Sequence, residues 1–175
     1  MKRQTPKTIS KYPRILSLAP SSYGLGFARM EGVNTLADWG VKYAEGNKNA
    51  ICIRHAKRLI ELHQPEVIVL EDCLDRDVRR HARIRRLTEQ IVELGEQRDI
   101  PVLLLRRKDI FQSLLPSGRG TKHALAEAIG RRFSDELLRH LPPRRRPWMS
   151  EDYRTGIFDA VAVGLAFTCR SKERR

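Results

Sequence analysis

Two carboxylates stand at places in the sequence where an acidic side chain usually has a chemical partner. Glu71 directly follows the apolar run 67–70, which predicts a buried strand. Asp159 lies inside the apolar stretch 157–166, where an unpaired charge is costly. Sites in open α/β sheets gather at the carboxyl ends of the strands, and Mg²⁺ and Mn²⁺ prefer carboxylate oxygens. The two residues are therefore candidate catalytic residues and candidate metal ligands.

Each of these carboxylates also has an ordinary explanation. Glu71 could mark the point where a strand reaches solvent, and Asp159 could face water on an amphipathic helix. Asp152 is a third candidate, because it lies seven residues before Asp159 and would stand two turns back on the same helical face.

A run of arginines follows Glu71 on a helix predicted over 76–98. Six arginines fall within eleven residues, and they repel one another unless an anion neutralises them. Phosphate groups of a nucleic acid would do so, and the alternative is a solvated helix face balanced by nearby acids. The predicted phosphate-binding residues of this run are Arg76, Arg79, Arg80, Arg83 and Arg86.

Two further groups of residues could contact a nucleic acid. The segment 141–147 is rich in proline and arginine and precedes a tryptophan whose ring could stack on a base; alternatively, the segment is a flexible linker whose tryptophan caps the core. A basic pair begins a later predicted helix, where free N–H groups attract phosphate. The predicted contacts in these two groups are Arg144, Arg145, Arg146, Trp148, Lys122 and His123.

The hydrophobic pattern predicts the elements that position these residues. Three apolar runs joined by short turns predict an antiparallel meander, and two later runs predict strands buried on both faces. The order β-β-β-α-β-α-β-α-α predicts an α/β fold with a five-stranded mixed sheet flanked by helices. The predicted strands cover 14–19, 25–30, 36–43, 67–70 and 101–105, and the four predicted helices cover 47–63, 76–98, 121–140 and a last stretch capped by Ser150. A further short helix over 108–115 is left open.

Composition excludes several classes of protein. The chain has 175 residues, of which 41% are hydrophobic and 31% charged, and these values favour a single folded domain over a disordered chain. No run of 18 apolar residues occurs, which predicts that no segment crosses a membrane. The N-terminus lacks a secretory apolar region, and the three widely spaced cysteines do not form a zinc motif. The sequence therefore predicts a cytoplasmic protein with reduced thiols.

The positive charge of the chain is uneven. The net charge is +13, of which residues 1–14 contribute +5 and residues 170–175 contribute +3. This distribution predicts a basic arm over 1–13, one domain over 14–169 and a basic tail over 170–175. An excess of this size makes nucleic acid the predicted partner.

Four blocks of the sequence resemble, in order, RuvC-type Holliday-junction resolvases of the RNase H-like superfamily. Residues 14–28 resemble the opening hairpin, and residues 60–71 resemble the block whose Glu binds metal in that family. Residues 118–126 resemble the segment in which a Lys begins a helix, and residues 158–166 resemble the closing Asp-Ala-Leu-Ala helix. The blocks cover roughly residues 14–169, so the resemblance implies an RNase H-like fold for nearly the whole chain.

The chain departs from this family at a metal ligand. The family carries an Asp at the end of the first strand that bridges two metal ions, whereas this chain has Ala19. The family also tends to carry an acid one turn before its last Asp, and this chain has Gly156 in that region. Three explanations are open: an engineered Asp→Ala knockout, a natural pseudo-nuclease, or a ligand relocated to Asp72 or Asp152. The replacement of Pro-Gly by Pro-Ser-Ser after Ala19 favours natural divergence.

The resemblance implies a function that Ala19 puts in question. In an active form, Glu71 and Asp159 would bind Mg²⁺ or Mn²⁺, and Lys122 or His123 would orient the phosphate during cleavage of DNA by a homodimer. With Ala19, that activity would be weakened or lost. The alternative is a non-catalytic nucleic-acid-binding or scaffolding pseudo-nuclease that keeps the fold. A third possibility, another phosphorylated substrate, requires a glycine-rich phosphate loop that the sequence only faintly offers.

Overall fold

The computed structural model describes residues 13–32, 35–74 and 82–173. Most of the predicted basic arm, residues 174–175 of the predicted tail, and Arg76, Arg79 and Arg80 lie outside these described residues. The strands are β1 (Arg14–Pro20), β2 (Gly24–Glu31), β3 (Thr35–Tyr43), β4 (Val67–Glu71) and β5 (Val102–Leu105). The helices are α1 (Lys48–His63), α2 (Ala82–Gln97), α3 (Arg107–Leu114), α4 (Lys122–Arg132), α5 (Ser134–Leu137) and α6 (Thr155–Glu173), with a 3-10 turn over Leu138–His140.

The five strands form one mixed sheet in the order β3-β2-β1-β4-β5. The first three strands are an antiparallel meander, and β1, β4 and β5 run parallel to one another. This arrangement confirms the predicted α/β fold with helices on a five-stranded mixed sheet. The carboxyl ends of the three parallel strands lie side by side at one end of the sheet, which we call the carboxyl edge.

The alternation of side chains along β1 divides the core into two layers. Ile15 and Ala19 point to the layer that contains α6, whereas Leu16 and Leu18 point to the layer that contains α1 and α2. Helix α6 is apolar on most of its surface because the sheet lies on one side and α3 and α4 cover another. Little of the surface of α6 faces solvent, so a polar residue on this helix, such as Asp159, lies among the packed elements and close to the sheet.

Glycines allow α6 to approach the sheet with its backbone. A Cβ at Gly26 on β2 would collide with the carbonyl oxygen of Gly156 on α6. A Cβ at Gly164 would lie 2.7 Å from Met30 Sδ and 2.9 Å from Ser17 Oγ. Gly156 and Gly164 flank Asp159 on α6. Their close contacts therefore set the distance of Asp159 from the sheet.

Two predicted elements differ in the structure. The helix predicted over 121–140 is broken at Phe133, whose backbone leaves the helical conformation between α4 and α5. The prediction that the strand at 101–105 is buried on both faces is wrong, because β5 is an edge strand and Leu103 is 37% exposed. In the part of the chain that the structure describes, no helix is long and apolar enough to cross a membrane.

The last helix begins at Thr155, not directly after Ser150 as predicted. The carboxylate of Asp152 accepts a hydrogen bond from the N–H of Arg154 at 2.9 Å, and this local turn competes with a helical backbone. Asp152 therefore precedes the helix, and the prediction that it lies two turns behind Asp159 on one helical face is wrong.

Candidate functional site

The carboxyl edge places Ala19 and Glu71 side by side. Leu18 lies beside Leu70 in the parallel register of β1 and β4, so Ala19 and Glu71 are the next residues on the two strands. The Ala19 methyl group packs into the layer beneath α6 and is only 9% exposed. The position at which the resolvase family carries its first Asp is thus a buried apolar surface in this chain.

Glu71 and Asp159 line the same small cavity at this edge. The cavity measures about 10 Å³, which is room for about one water molecule. Its other charged lining residues are Arg107 and Lys122. The structure therefore brings the two predicted acids together, and it brings a basic side chain to each of them.

Arg107 binds Glu71 through two hydrogen bonds. Nε of Arg107 donates to Oε1 of Glu71 at 2.9 Å, and Nη2 donates to Oε2 at 3.3 Å. Arg107 reaches this position because it follows β5 by two residues, and Glu71 is paired in register with Leu105 at the end of β5. Partial burial lowers the pKa of Arg107, but the hydrogen bonds and charge of Glu71 raise it above its usual value. Both oxygens of Glu71 are engaged by a permanent cation.

Lys122 binds Asp159 in a corresponding way. Its Nζ donates to Oδ2 of Asp159 at 2.9 Å and to Oε1 of Glu151 at 2.6 Å. Lys122 is the first residue of α4, and the side chain of Thr121 caps that helix by accepting from the N–H of Ala124 at 3.1 Å. Burial lowers the pKa of Lys122, while Asp159 and Glu151 raise it above its usual value, so the ammonium group stays charged.

The pKa of Asp159 is raised above its usual value. Burial is the largest cause, the attraction of Lys122 opposes it, and the charges of Glu71 and Glu151 add to it. Three carboxylates therefore share two basic side chains. Asp159 depends on Lys122 for its ionised form.

This set of residues does not fit a pair of divalent metal ions. Ala19 and Gly156 carry no oxygen in their side chains, and Glu71 and Asp159 already hold a guanidinium and an ammonium group. Among the described residues, no three His, Cys, Asp or Glu side chains cluster in a way that could hold a metal ion. The metal-binding roles predicted for Glu71 and Asp159 remain predictions that these contacts oppose.

The two residues considered as relocated ligands are also engaged elsewhere. Arg154 donates to both carboxylate oxygens of Asp152 at 2.8 Å, and these hydrogen bonds lower the pKa of Asp152. A carboxylate oxygen of Asp72 accepts the N–H of Leu74 at 3.0 Å. Neither residue lines the small cavity, so neither of them replaces the missing ligand at Ala19.

Arg83 supports the turn between β1 and β2, and its predicted contact to phosphate stays a prediction. Its Nη2 donates to the carbonyl oxygen of Ser21 at 2.6 Å, and its Nη1 donates to Oδ1 of Asn49 at 3.1 Å. The side chain therefore joins α2, α1 and the turn. Arg86, three residues further along α2, is exposed.

The Arg83→Ala variant is expected to lower the free energy of unfolding by about 1–2 kcal/mol, because two hydrogen bonds of a charged group are lost. Arg86→Ala is the matched control and should change stability by less than about 0.5 kcal/mol. Urea unfolding followed by circular dichroism measures both. Equal stability of the two variants would show that Arg83 does not brace the turn.

The segment 141–154 contains no helix or strand. Trp148 is 76% exposed, so the alternative that its ring caps the core is wrong. The guanidinium carbon of Arg146 lies 5.7 Å from the centre of this ring. Arg144 and Arg145 line a groove of about 740 Å³ beside the carboxyl edge, whereas Arg146 and Trp148 lie outside its lining.

His123 lines the same groove. Its Nε2 lies 3.3 Å from Oε1 of Glu127, one turn further along α4. The structure thus places His123 with Arg144 and Arg145 in one groove. Their contacts to nucleic acid remain predictions.

Sequence reasoning missed Arg107 and Glu151. A signal for Arg107 was present, because a charged residue just after one parallel strand lies near the residue that ends its neighbour. Glu151 lies in an irregular segment, and nothing in the spacing of residues indicates that it reaches Lys122.

Comparison with solved structures identifies the fold. Thermus thermophilus RuvC superposes with a TM-score of 0.65 and 16% identity, covering 91% of this chain and 96% of that chain. T. thermophilus RuvC in complex with Holliday junction substrate superposes with a TM-score of 0.62 and 14% identity, covering 91% of this chain and 95% of that chain. The yeast mitochondrial Holliday junction resolvase Ydc2 superposes with a TM-score of 0.63 and 15% identity, covering 94% of this chain and 81% of that chain.

These matches define the class of fold as RNase H-like α/β. Within that class the chain has the fold of RuvC-type resolvases, and the resemblance noted in the sequence is confirmed at this level. Comparison with protein-family models and with curated proteins finds no match.

Proposed function

We propose that this protein binds DNA at the carboxyl edge of its sheet and does not cut it by metal-dependent hydrolysis. One observation carries the second half of this proposal: Arg107 and Lys122 already hold the two acids, beside an alanine in place of the third. Their positive groups engage carboxylate oxygens that a metal ion would need as ligands. The protein is therefore a pseudo-nuclease that uses the fold for binding.

Charge and similarity support the first half of the proposal. The chain carries a net charge of +13, and a structural neighbour of the same fold was solved with a Holliday junction substrate. The exposed basic segment with Arg144, Arg145 and Arg146 lies next to the carboxyl edge. Binding to phosphate groups would then provide most of the affinity.

The test of binding is a salt titration. Fluorescence anisotropy with a labelled four-way DNA junction should give an affinity that falls steeply with salt, by about 0.9 in log–log slope for each duplex phosphate contact. Replacing Arg144, Arg145 and Arg146 together with alanine should reduce the magnitude of this log–log slope by about 2–3. The matched control replaces three exposed basic residues of α1, on the other face of the sheet, and should leave the slope unchanged. The control residues are Arg54, Lys57 and Arg58.

The same junction tests cleavage in Mg²⁺ or Mn²⁺. The protein should yield no product above background, and Ala19→Asp alone should not restore cleavage, because Arg107 and Lys122 still occupy the other two carboxylates. The active-nuclease alternative predicts the opposite: metal-dependent cutting by the unmodified protein that Glu71→Gln abolishes. That result, or an absence of salt-dependent binding, would contradict the proposal.

A further inference from the structure

The groove of about 740 Å³ beside the carboxyl edge lies between the start of α4, the β1–β2 turn and the segment 141–154. Its volume falls within the range of about 300–1,000 Å³ that small-molecule sites occupy. Lys122 lines both this groove and the small cavity that holds Asp159. A ligand in the groove would therefore lie directly beside the paired acids.

The groove leaves two guanidinium groups available to a ligand, those of Arg144 and Arg145. Each acid on its lining lies against a basic side chain, whereas no partner of Arg144 occurs among the described residues. Arg145 donates from Nε to the carbonyl oxygen of Met149 at 2.8 Å, and its other guanidinium nitrogens stay available. The paired acids are Glu127 with His123, Glu151 with Lys122 and Asp152 with Arg154.

The groove also presents aromatic surface. Tyr23 and Tyr153 belong to its lining, and Tyr153 is 43% exposed. The ring of Tyr153 lies 5.6 Å from that of Tyr43, which is 55% exposed. Trp148, which lies outside the lining, is 76% exposed and stands five residues before Tyr153 on the same segment. Exposed aromatic rings beside arginines are the combination that binds unpaired bases and the phosphates between them.

The walls of the groove are held in place before any ligand binds. Pro142 and Pro143 restrict the backbone at one side. The turn that carries Tyr23 is fixed by Arg83, which donates to the Ser21 carbonyl, and by Lys48 Nζ, which donates to the Ser22 carbonyl at 2.7 Å. Little ordering is then required on binding, which favours affinity.

We infer that this groove binds an unpaired nucleotide of the DNA, so that the preferred substrate contains single-stranded positions. This inference rests on the proposed DNA binding and specifies its substrate class. Bases inside a duplex are stacked on both faces and cannot meet Tyr153 or Trp148, whereas an unpaired base has a free face. Arg144 and Arg145 would hold the adjacent phosphates.

The experiment compares two fluorescent probes, a single-stranded oligothymidine and a blunt duplex. The double variant Trp148→Ala, Tyr153→Ala should weaken binding of the single strand by about tenfold or more, as stacking of one or two bases implies. Binding of the duplex should change by less than about twofold. The conservative double variant with Phe at both positions should retain binding of the single strand. Leu62→Ala, at an exposed apolar residue on α1, is the matched control.

The outcomes separate this inference from the proposed function. If the protein binds the duplex but the double variant binds the single strand normally, the inference is overturned and DNA binding stands. Equal losses on both probes also overturn it, because the aromatic rings would then not distinguish unpaired bases. If the unmodified protein binds neither probe nor the four-way junction, the proposed function itself fails. Circular dichroism of each variant verifies that the fold is intact.

Discussion

Replacing Lys122 with Met is expected to lower the free energy of unfolding by about 2–3 kcal/mol at pH 7. The substitution keeps most of the side-chain volume but leaves Asp159 and Glu151 without their shared cation. Removing one partner of a largely buried ion pair leaves an uncompensated charge. The expected loss is smaller than for a fully buried pair, because the three side chains are between 24% and 34% exposed.

This loss should depend on pH. The pKa of Asp159 is already raised above its usual value, and loss of the attraction from Lys122 should raise it further. A carboxyl group whose pKa is higher in the folded state binds its proton more readily there. Its ionisation therefore lowers stability as the pH rises from the unfolded pKa through the folded one. The difference in the free energy of unfolding between Lys122→Met and the unmodified protein should therefore become smaller as the pH is lowered from 7 toward about 4.

Urea unfolding over this pH range measures the effect of the Lys122 substitution. Lys122→Arg keeps the positive charge and should retain more of the stability than Met does. Lys108→Met, at an exposed lysine of α3, is the matched control and should cost less than about 0.5 kcal/mol at any pH. A loss in Lys122→Met that is the same at every pH would mean that Lys122 acts by packing and not by charge.

Replacing Gly26 with Ala is expected to lower the free energy of unfolding by about 3 kcal/mol or more. The added methyl group would occupy the space of the Gly156 carbonyl oxygen, and backbone atoms cannot turn aside as a side chain does. The strain is relieved only if α6 moves away from β2, and overpacking of this kind costs about 1–3 kcal/mol even where side chains can adjust.

Gly156→Ala is the matched control for Gly26→Ala. Its Cβ would lie 3.6 Å from both the Cα of Gly26 and Cγ2 of Val41, which is ordinary contact. The control should therefore change stability by less than about 1 kcal/mol, helped by the better helix propensity of alanine. Thermal unfolding compares the two variants. Similar melting temperatures for both would show that the close approach of α6 to β2 does not limit the packing.

The strand that ends at Glu71 illustrates why much of the fold could be predicted from the sequence. Four apolar residues, three of them β-branched, specify a buried strand, and the acid that follows marks its end. The apolar stretch around Asp159 specified a helix in the same way. Because both elements are defined by local pattern, the meeting of the two acids at one edge followed from the fold class.

The partners of these acids depend on information that a local pattern does not contain. Arg107 meets Glu71 because β4 and β5 are neighbours in a particular register. Glu151 meets Lys122 because an irregular segment of proline and arginine returns to the start of α4. The position of Asp152 was wrong for a related reason, since an Asx turn with Arg154 delays the start of α6. Such turns depend on single side-chain contacts and leave no periodic signal.

The two basic groups at the carboxyl edge differ from metal ions in how they are attached. A bound Mg²⁺ exchanges with solvent, and its occupancy follows the concentration of free ion. Arg107 and Lys122 are tethered by the polypeptide, and the surrounding acids raise the pKa of each, so both keep their charge. A chelator has nothing to remove from this pair, and a change in cellular magnesium does not alter its charge. A ligand arriving at this edge meets an electrostatic surface that is set when the chain folds.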